Sequence, residues 1–124
     1  MEFASPDPSA GLYVVNRENQ VRKVHIPPDC LAIQVGECTQ IVSRDVLRAT
    51  PHCVRGSPGL ARTSLACFVD VPPDFPLHGF IGSTCDRVPP LRERWTQGMM
   101  FGDFLETTFR KYYDWTSDQG QQQG

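Results

Sequence analysis

Two short stretches hold the residue types that could do chemistry together. Pro51-His52-Cys53-Val54 presents an imidazole at the opening of a strand-like run, and Arg62-Thr63-Ser64 follows ten residues after that histidine. Between them Arg55-Gly56-Ser57-Pro58-Gly59 has the composition of a turn. Antiparallel pairing across this turn sets His52 close to Arg62, because opposite residues in such a pair have Cβ atoms ~5 Å apart. Alternation along a strand then points Arg62, Ser64, Ala66 and Phe68 to one face and Thr63, Leu65, Cys67 and Val69 to the other. A strand apolar on both faces that begins with a guanidinium and a hydroxyl would bury a charge without compensation unless an anion met it. A carboxylate suits that place, since Arg offers a planar two-pronged donor and Ser adds a third. The competing reading is an internal ion pair of Arg62 with Glu37 or Asp45, or an arginine that reaches out to water.

The remaining candidates are weaker. His25 precedes a Pro-Pro break and His78 sits beside Gly79, neither with an acid or thiol at ligand spacing, so both read as structural or exposed. Five cysteines cannot all pair within one chain, and none falls in a Cys-x-x-Cys spacing, so a disulfide framework and a zinc ribbon are not indicated. Reduced thiols are expected, with Cys67 a buried small hydrophobe. Cys30, Cys38, His52 and Cys53 could hold zinc only by converging tetrahedrally, which no spacing here predicts.

Composition excludes several classes. The 124 residues carry 12 Lys+Arg against 14 Asp+Glu, without the basic cluster that binding to nucleic-acid phosphates requires. No apolar run approaches the ~20 residues of a membrane span. The N-terminus has neither the charged nor the apolar part of a secretory signal. These readings make the expected protein soluble and cytoplasmic.

Eleven prolines and ten glycines cut the chain into short pieces that favour strands and turns until the last quarter. After an irregular lead over 1–10, strands are expected over 11–71. Gly11 to Asn16 and Val21 to Ile26 read as a hairpin around Asn16-Arg17-Glu18-Asn19, and Cys30 to Val35 as a buried strand closed by Gly36. Gln40-Ile41-Val42 is a short connecting segment, Leu47 to Val54 a strand, and Arg62 to Val71 a further strand. Residues 72–100 read as irregular covering chain. Phe101, Phe104, Leu105, Thr108, Phe109, Tyr112 and Tyr113 recur at helical spacing and predict an amphipathic helix over 101–115 that packs on the sheet. The Gly/Gln-rich tail, 116–124, is expected to be disordered.

The ordered motifs Gln34-Val35-Gly36-Glu37 at a strand end, Thr50-Pro51-His52, and Arg62-x-Ser64 resemble the C-terminal half of the isopenicillin N synthase-like 2-oxoglutarate/Fe(II)-dependent dioxygenases, from about Gly11 to Trp115. The resemblance implies a mainly β fold, part of a double-stranded β-helix or jelly roll with one C-terminal amphipathic helix. It makes His52 the second imidazole ligand of a two-His, one-carboxylate iron site, and gives Arg62 and Ser64 the far carboxylate of 2-oxoglutarate. The implied cofactor is Fe(II), with 2-oxoglutarate as co-substrate and dioxygen and a small molecule as reactants.

One family element is missing from these residues. The His-x-Asp pair that completes the iron site occurs nowhere in the sequence. The chain therefore reads as the latter part of a larger dioxygenase, beginning just after its first two iron ligands. Alone it is expected to be inactive and to hold iron poorly, since one imidazole binds Fe(II) weakly. The alternatives are an inactive truncated relative and a small β-rich interaction domain. Half a barrel would also leave open sheet edges, and self-association through them is expected.

Overall fold

A computed structural model describes residues 6–82 and 90–113. The chain forms two compact units that alternate along the sequence: Met1–Gly36 with Arg48–Val69, and Glu37–Leu47 with Asp70–Gly124.

The first unit is a three-stranded antiparallel sheet in the order β2-β1-β3, with β1 at Gly11–Val15, β2 at Val21–Lys23 and β3 at His52–Arg55. The expected hairpin is present, registered Tyr13 to Lys23 and Val15 to Val21. Its turn is closed by Asn16, whose side-chain Oδ1 accepts from the backbone N–H of Glu18 at 3.0 Å and of Gln20 at 2.8 Å. Asn19 takes the left-handed φ of 64° that asparagine tolerates better than most residues. On its other side β1 pairs with β3, Gly11 opposite Arg55 and Val14 opposite His52. Ala10 is this unit's one buried hydrophobic side chain among the described residues.

The second unit holds the core. Ile41, Leu77, Leu91, Phe101 and Phe104 form one buried cluster, with Cys38, Val71, Ile81, Trp95, Met99 and Leu105 packed against it. Apart from Val71, Ile81 and Trp95, they come from α1 (Glu37–Val42), β4 (Pro76–Leu77), α2 (Leu91–Arg94), β5 (Met99–Met100) and α3 (Phe101–Tyr112), with β4 and β5 antiparallel. Arg94 ties three helices together: it donates from Nη1 and Nη2 to the two carboxylate oxygens of Glu37 at 2.8 and 2.6 Å, and from Nη1 to Thr108 Oγ1 at 2.9 Å. Its guanidinium carbon also lies 5.7 and 5.8 Å from the ring centres of Phe104 and Tyr112.

Helix α3 starts as its spacing predicts. No side chain caps it; the N–H groups of Phe101 and Gly102 donate instead to the carbonyls of Phe75 at 2.9 Å and Pro73 at 2.8 Å. The Pro72-Pro73-Asp74-Phe75 run thus satisfies two donors that a helix leaves open at its N-terminus. Phe101 and Phe104 are buried, whereas Phe109, Tyr112 and Tyr113 at the far end are exposed, so the aromatic stripe is covered only along its first turns.

Several expectations are corrected. Residues 30–35 and 62–71 form no strand, Ser64 alone taking part in a bridge, and Cys67 is exposed rather than buried. Strand propensity is largely a measure of packing on neighbours, and among the described residues none of the strands β1 to β5 pairs with these segments. The strand expected over Leu47 to Val54 is reduced to β3. Gln40-Ile41-Val42 lies in α1, where helical spacing buries Gln40 and Ile41 together. Residues 72–100 include β4, α2 and β5 besides irregular chain. The described residues form two small antiparallel sheets with three helices and no closed barrel. The expected tail lies outside the described residues.

Two substitutions test the second unit. A Cβ on Gly79 would come within 2.0 Å of the Ile41 carbonyl oxygen, which is backbone and cannot yield. Gly79→Ala is expected to cost at least the ~1–3 kcal/mol of an overpacked core, read from denaturant unfolding followed by tryptophan fluorescence. Glu37→Ala strips the buried Arg94 of its carboxylate and should cost ~3–5 kcal/mol in the same assay.

Candidate functional site

His52 opens β3, an exposed strand at the edge of the three-stranded sheet. Thr50 and Pro51 lead into it, and the N–H of Val15 donates to the Pro51 carbonyl at 2.9 Å, continuing the ladder one residue past the histidine. Hydrogen-bonded and non-bonded pairs alternate in such a ladder, so His52 faces β1 at a non-bonded position. Its ring Nδ1 lies 3.0 Å from the Thr50 carbonyl oxygen. A carbonyl can only accept, so Nδ1 carries the proton and Nε2 keeps its lone pair in the neutral ring. Metal-binding histidines are oriented by a second-nitrogen contact of this kind.

The strand partner of His52 differs from the sequence expectation. Val14 of β1, not the Arg62 segment, lies opposite it. The chain leaving β3 is drawn into its own turn, where Leu60 N–H donates to the Ser57 carbonyl at 3.3 Å and Gly59 adopts a φ of 75°. Ser57 Oγ donates to Asp7 at 2.6 Å, and the same carboxylate accepts from the N–H and hydroxyl of Ser9 at 2.8 and 2.7 Å. Arg62 and Ser64 belong to the same unit as His52, Arg62 half-buried and Ser64 exposed.

Glu37 and Asp45, the acids considered as internal partners for Arg62, have other contacts. Glu37 receives Arg94 as described, and Asp45 accepts from Gln40 Nε2 and from the Gly82 N–H, each at 2.7 Å. Asp45 and Arg44 both have left-handed φ values, 66° and 54°, and end α1. His25 and His78 are exposed. Cys30 and Cys53 are exposed and Cys38 half-buried. Among the described residues no group of three or more His, Cys, Asp or Glu side chains could hold a metal ion, so the four-residue zinc arrangement is not formed.

No protein-family model, curated protein or solved structure matches this chain.

The same limit applies to iron. His52 is presented as a ligand would be, but two further donors are absent from its surroundings among the described residues. The residues present therefore do not fit a complete Fe(II) site.

The sequence reading offers Asp7 only as a remote substitute for the missing iron carboxylate and does not foresee that its carboxylate links the N-terminal turn to the loop behind the His52 strand. Asp7-Pro8-Ser9 carries the signal, since an aspartate readily binds the backbone two residues on. The Ser57 and Ser9 donors hold its carboxyl down to about 2 from the usual 3.8. Because the ionised form is the one the fold favours, this contribution is complete above pH 3.8 and disappears as the pH falls through 2. Ser57→Ala should move the Asp7 midpoint back toward 3.8, followed by NMR titration of the carboxyl carbon.

Proposed function

We propose that this chain is the C-terminal part of an isopenicillin N synthase-like 2-oxoglutarate/Fe(II)-dependent dioxygenase. It contributes one imidazole, His52, and a carboxylate anchor, Arg62 with Ser64, to an oxidoreductase site that it does not complete by itself. The observation that carries this reading is the hydrogen bond from His52 Nδ1 to the Thr50 carbonyl, which leaves Nε2 as the donor atom on an exposed strand. The sequence motifs around it support the assignment, and the antiparallel sheet that bears it is of the kind from which jelly rolls are built.

When bound, iron in such proteins supplies the oxidising chemistry with dioxygen and the co-substrate. This chain's own part is to bind and orient. A guanidinium and a hydroxyl together can take the two oxygens of a distal carboxylate, with charge-assisted hydrogen bonds stronger than neutral ones. The free thiols Cys30, Cys53 and Cys67 suit a reducing compartment such as the cytoplasm, and a small-molecule substrate follows from the family resemblance.

Two measurements test the assignment. Adding Fe(II) and 2-oxoglutarate anaerobically should give no metal-to-ligand charge-transfer band with this chain; a visible band lost in Arg62→Ala would show a complete site. Without metal, 2-oxoglutarate should perturb the amide signals of Arg62 and Ser64, and Arg62→Ala should weaken binding at least tenfold while leaving the remaining spectrum unchanged. Unperturbed signals at millimolar ligand would remove the anchor role.

A further inference from the structure

Asp7, Pro8 and Ser9 cross one face of the three-stranded sheet and are tied to it at each strand. The hydroxyl of Tyr13, on β1, donates to the Ser9 carbonyl at 2.7 Å, and Lys23 Nζ, on β2, donates to the Pro8 carbonyl. Beyond β3 the tie is Asp7, whose Oδ2 accepts from Ser57 Oγ at 2.6 Å while its Oδ1 is held by the N–H and hydroxyl of Ser9. Ala10, which follows the crossing, is buried.

Tyr13 stands opposite both Lys23 and Cys53, and Val14 opposite both Arg22 and His52. Successive residues of a strand point to opposite faces, so the Tyr13 row and the Val14 row lie on different sides of the sheet. Tyr13 and Lys23 reach the crossing segment, which therefore lies behind the sheet, away from the His52 side chain. It braces the imidazole's strand without covering the imidazole, which is exposed.

Residues 53–61 join His52 to Arg62. Those in β3 are fixed by pairing with β1, but residues 56–60 belong to no strand. Their turn has the Leu60 N–H bond to the Ser57 carbonyl, long at 3.3 Å, and the 2.6 Å contact of Ser57 with Asp7. A hydrogen bond to an ionised carboxylate is roughly twice as strong as a neutral one. We infer that Asp7 is a positioning residue for the carboxylate anchor: through Ser57 it fixes the turn that sets Arg62 and Ser64 relative to His52. The inference rests on the reading of Arg62 and Ser64 as that anchor. Asp7 itself touches neither iron nor 2-oxoglutarate. Its effect is through place, since a shift of ~1 Å in a binding group can cost up to ~100-fold in function.

Titration of the whole chain with 2-oxoglutarate, without metal and followed at the Arg62 and Ser64 amide signals, tests the role in three variants. Asp7→Ala and Ser57→Ala should each weaken binding roughly fivefold or more. Ser57→Ala removes only the tie to the turn and spares those to β1 and β2, so it decides the matter if Asp7→Ala disturbs folding. Asp7→Asn should bind within about twofold of the unaltered chain, because its amide oxygen still accepts from Ser9 and its nitrogen donates to Ser57 Oγ. The thermal transition and the His52 ring-nitrogen signals should stay unchanged in Ser57→Ala and Asp7→Asn, which separates lost position from a loosened sheet. Equal binding by Ser57→Ala and the unaltered chain overturns the inference and leaves the anchor standing. So does weak binding by Asp7→Asn, or a Ser57→Ala loss that comes with altered His52 signals. An unaltered chain that does not bind 2-oxoglutarate removes the anchor and this role with it.

Discussion

The second unit depends on Arg94. Its side chain is wholly buried, and removing a guanidinium from water is costly unless charge and hydrogen bonds replace the lost hydration. Here Glu37 accepts from two of its nitrogens, Thr108 from one, and the Phe104 and Tyr112 rings lie within cation–π distance. Burial alone would release its proton more readily, but Glu37 outweighs this and holds the group more firmly charged. The positions of α1, α2 and α3 therefore follow from satisfying one cation. The apolar cluster of Ile41, Leu77, Leu91, Phe101 and Phe104 adds burial energy, which is non-directional, while the bidentate pair sets orientation.

The first unit has no comparable centre. Its strands are held by backbone pairing and by local polar contacts, Asn16 at the hairpin turn and Asp7 at the loop after β3. It is also where the residues with a chemical reading lie, His52, Arg62 and Ser64. A histidine on an exposed edge strand is accessible, and its ring is oriented by a main-chain carbonyl that mutation of neighbouring side chains would not remove.

What could be read in the sequence was what local chemistry dictates. The hairpin around Asn16 follows from β-branched residues flanking a turn-forming asparagine, and the start of α3 follows from aromatic residues at helical spacing. The segments at Cys30 to Val35 and Arg62 to Val71 have the same local character, yet form no strand, because a strand needs a neighbour and composition does not supply one. The partner of His52 was misread for a related reason. Turn composition at Arg55 to Gly59 predicts a reversal, but cannot say that Ser57 will be taken by Asp7, fifty residues away. Arg94 was invisible as an organiser because its acid lies 57 residues earlier in the chain.

The alternation of the two units along the chain has a consequence for synthesis. The ribosome delivers β1 and β2 first, and the hairpin can close at once. Helix α1 comes next, but at six residues it is too short to persist unaided, and Arg94, Leu77 and Phe104 have yet to be made. Before they arrive, β3 emerges and can add to the hairpin. The first sheet can therefore be assembled while Glu37 and Ile41 still wait for partners, so the nascent chain carries an unfinished α1 between two stretches of a formed sheet. Neither unit is a continuous stretch of sequence, so no single cut in the gene separates them.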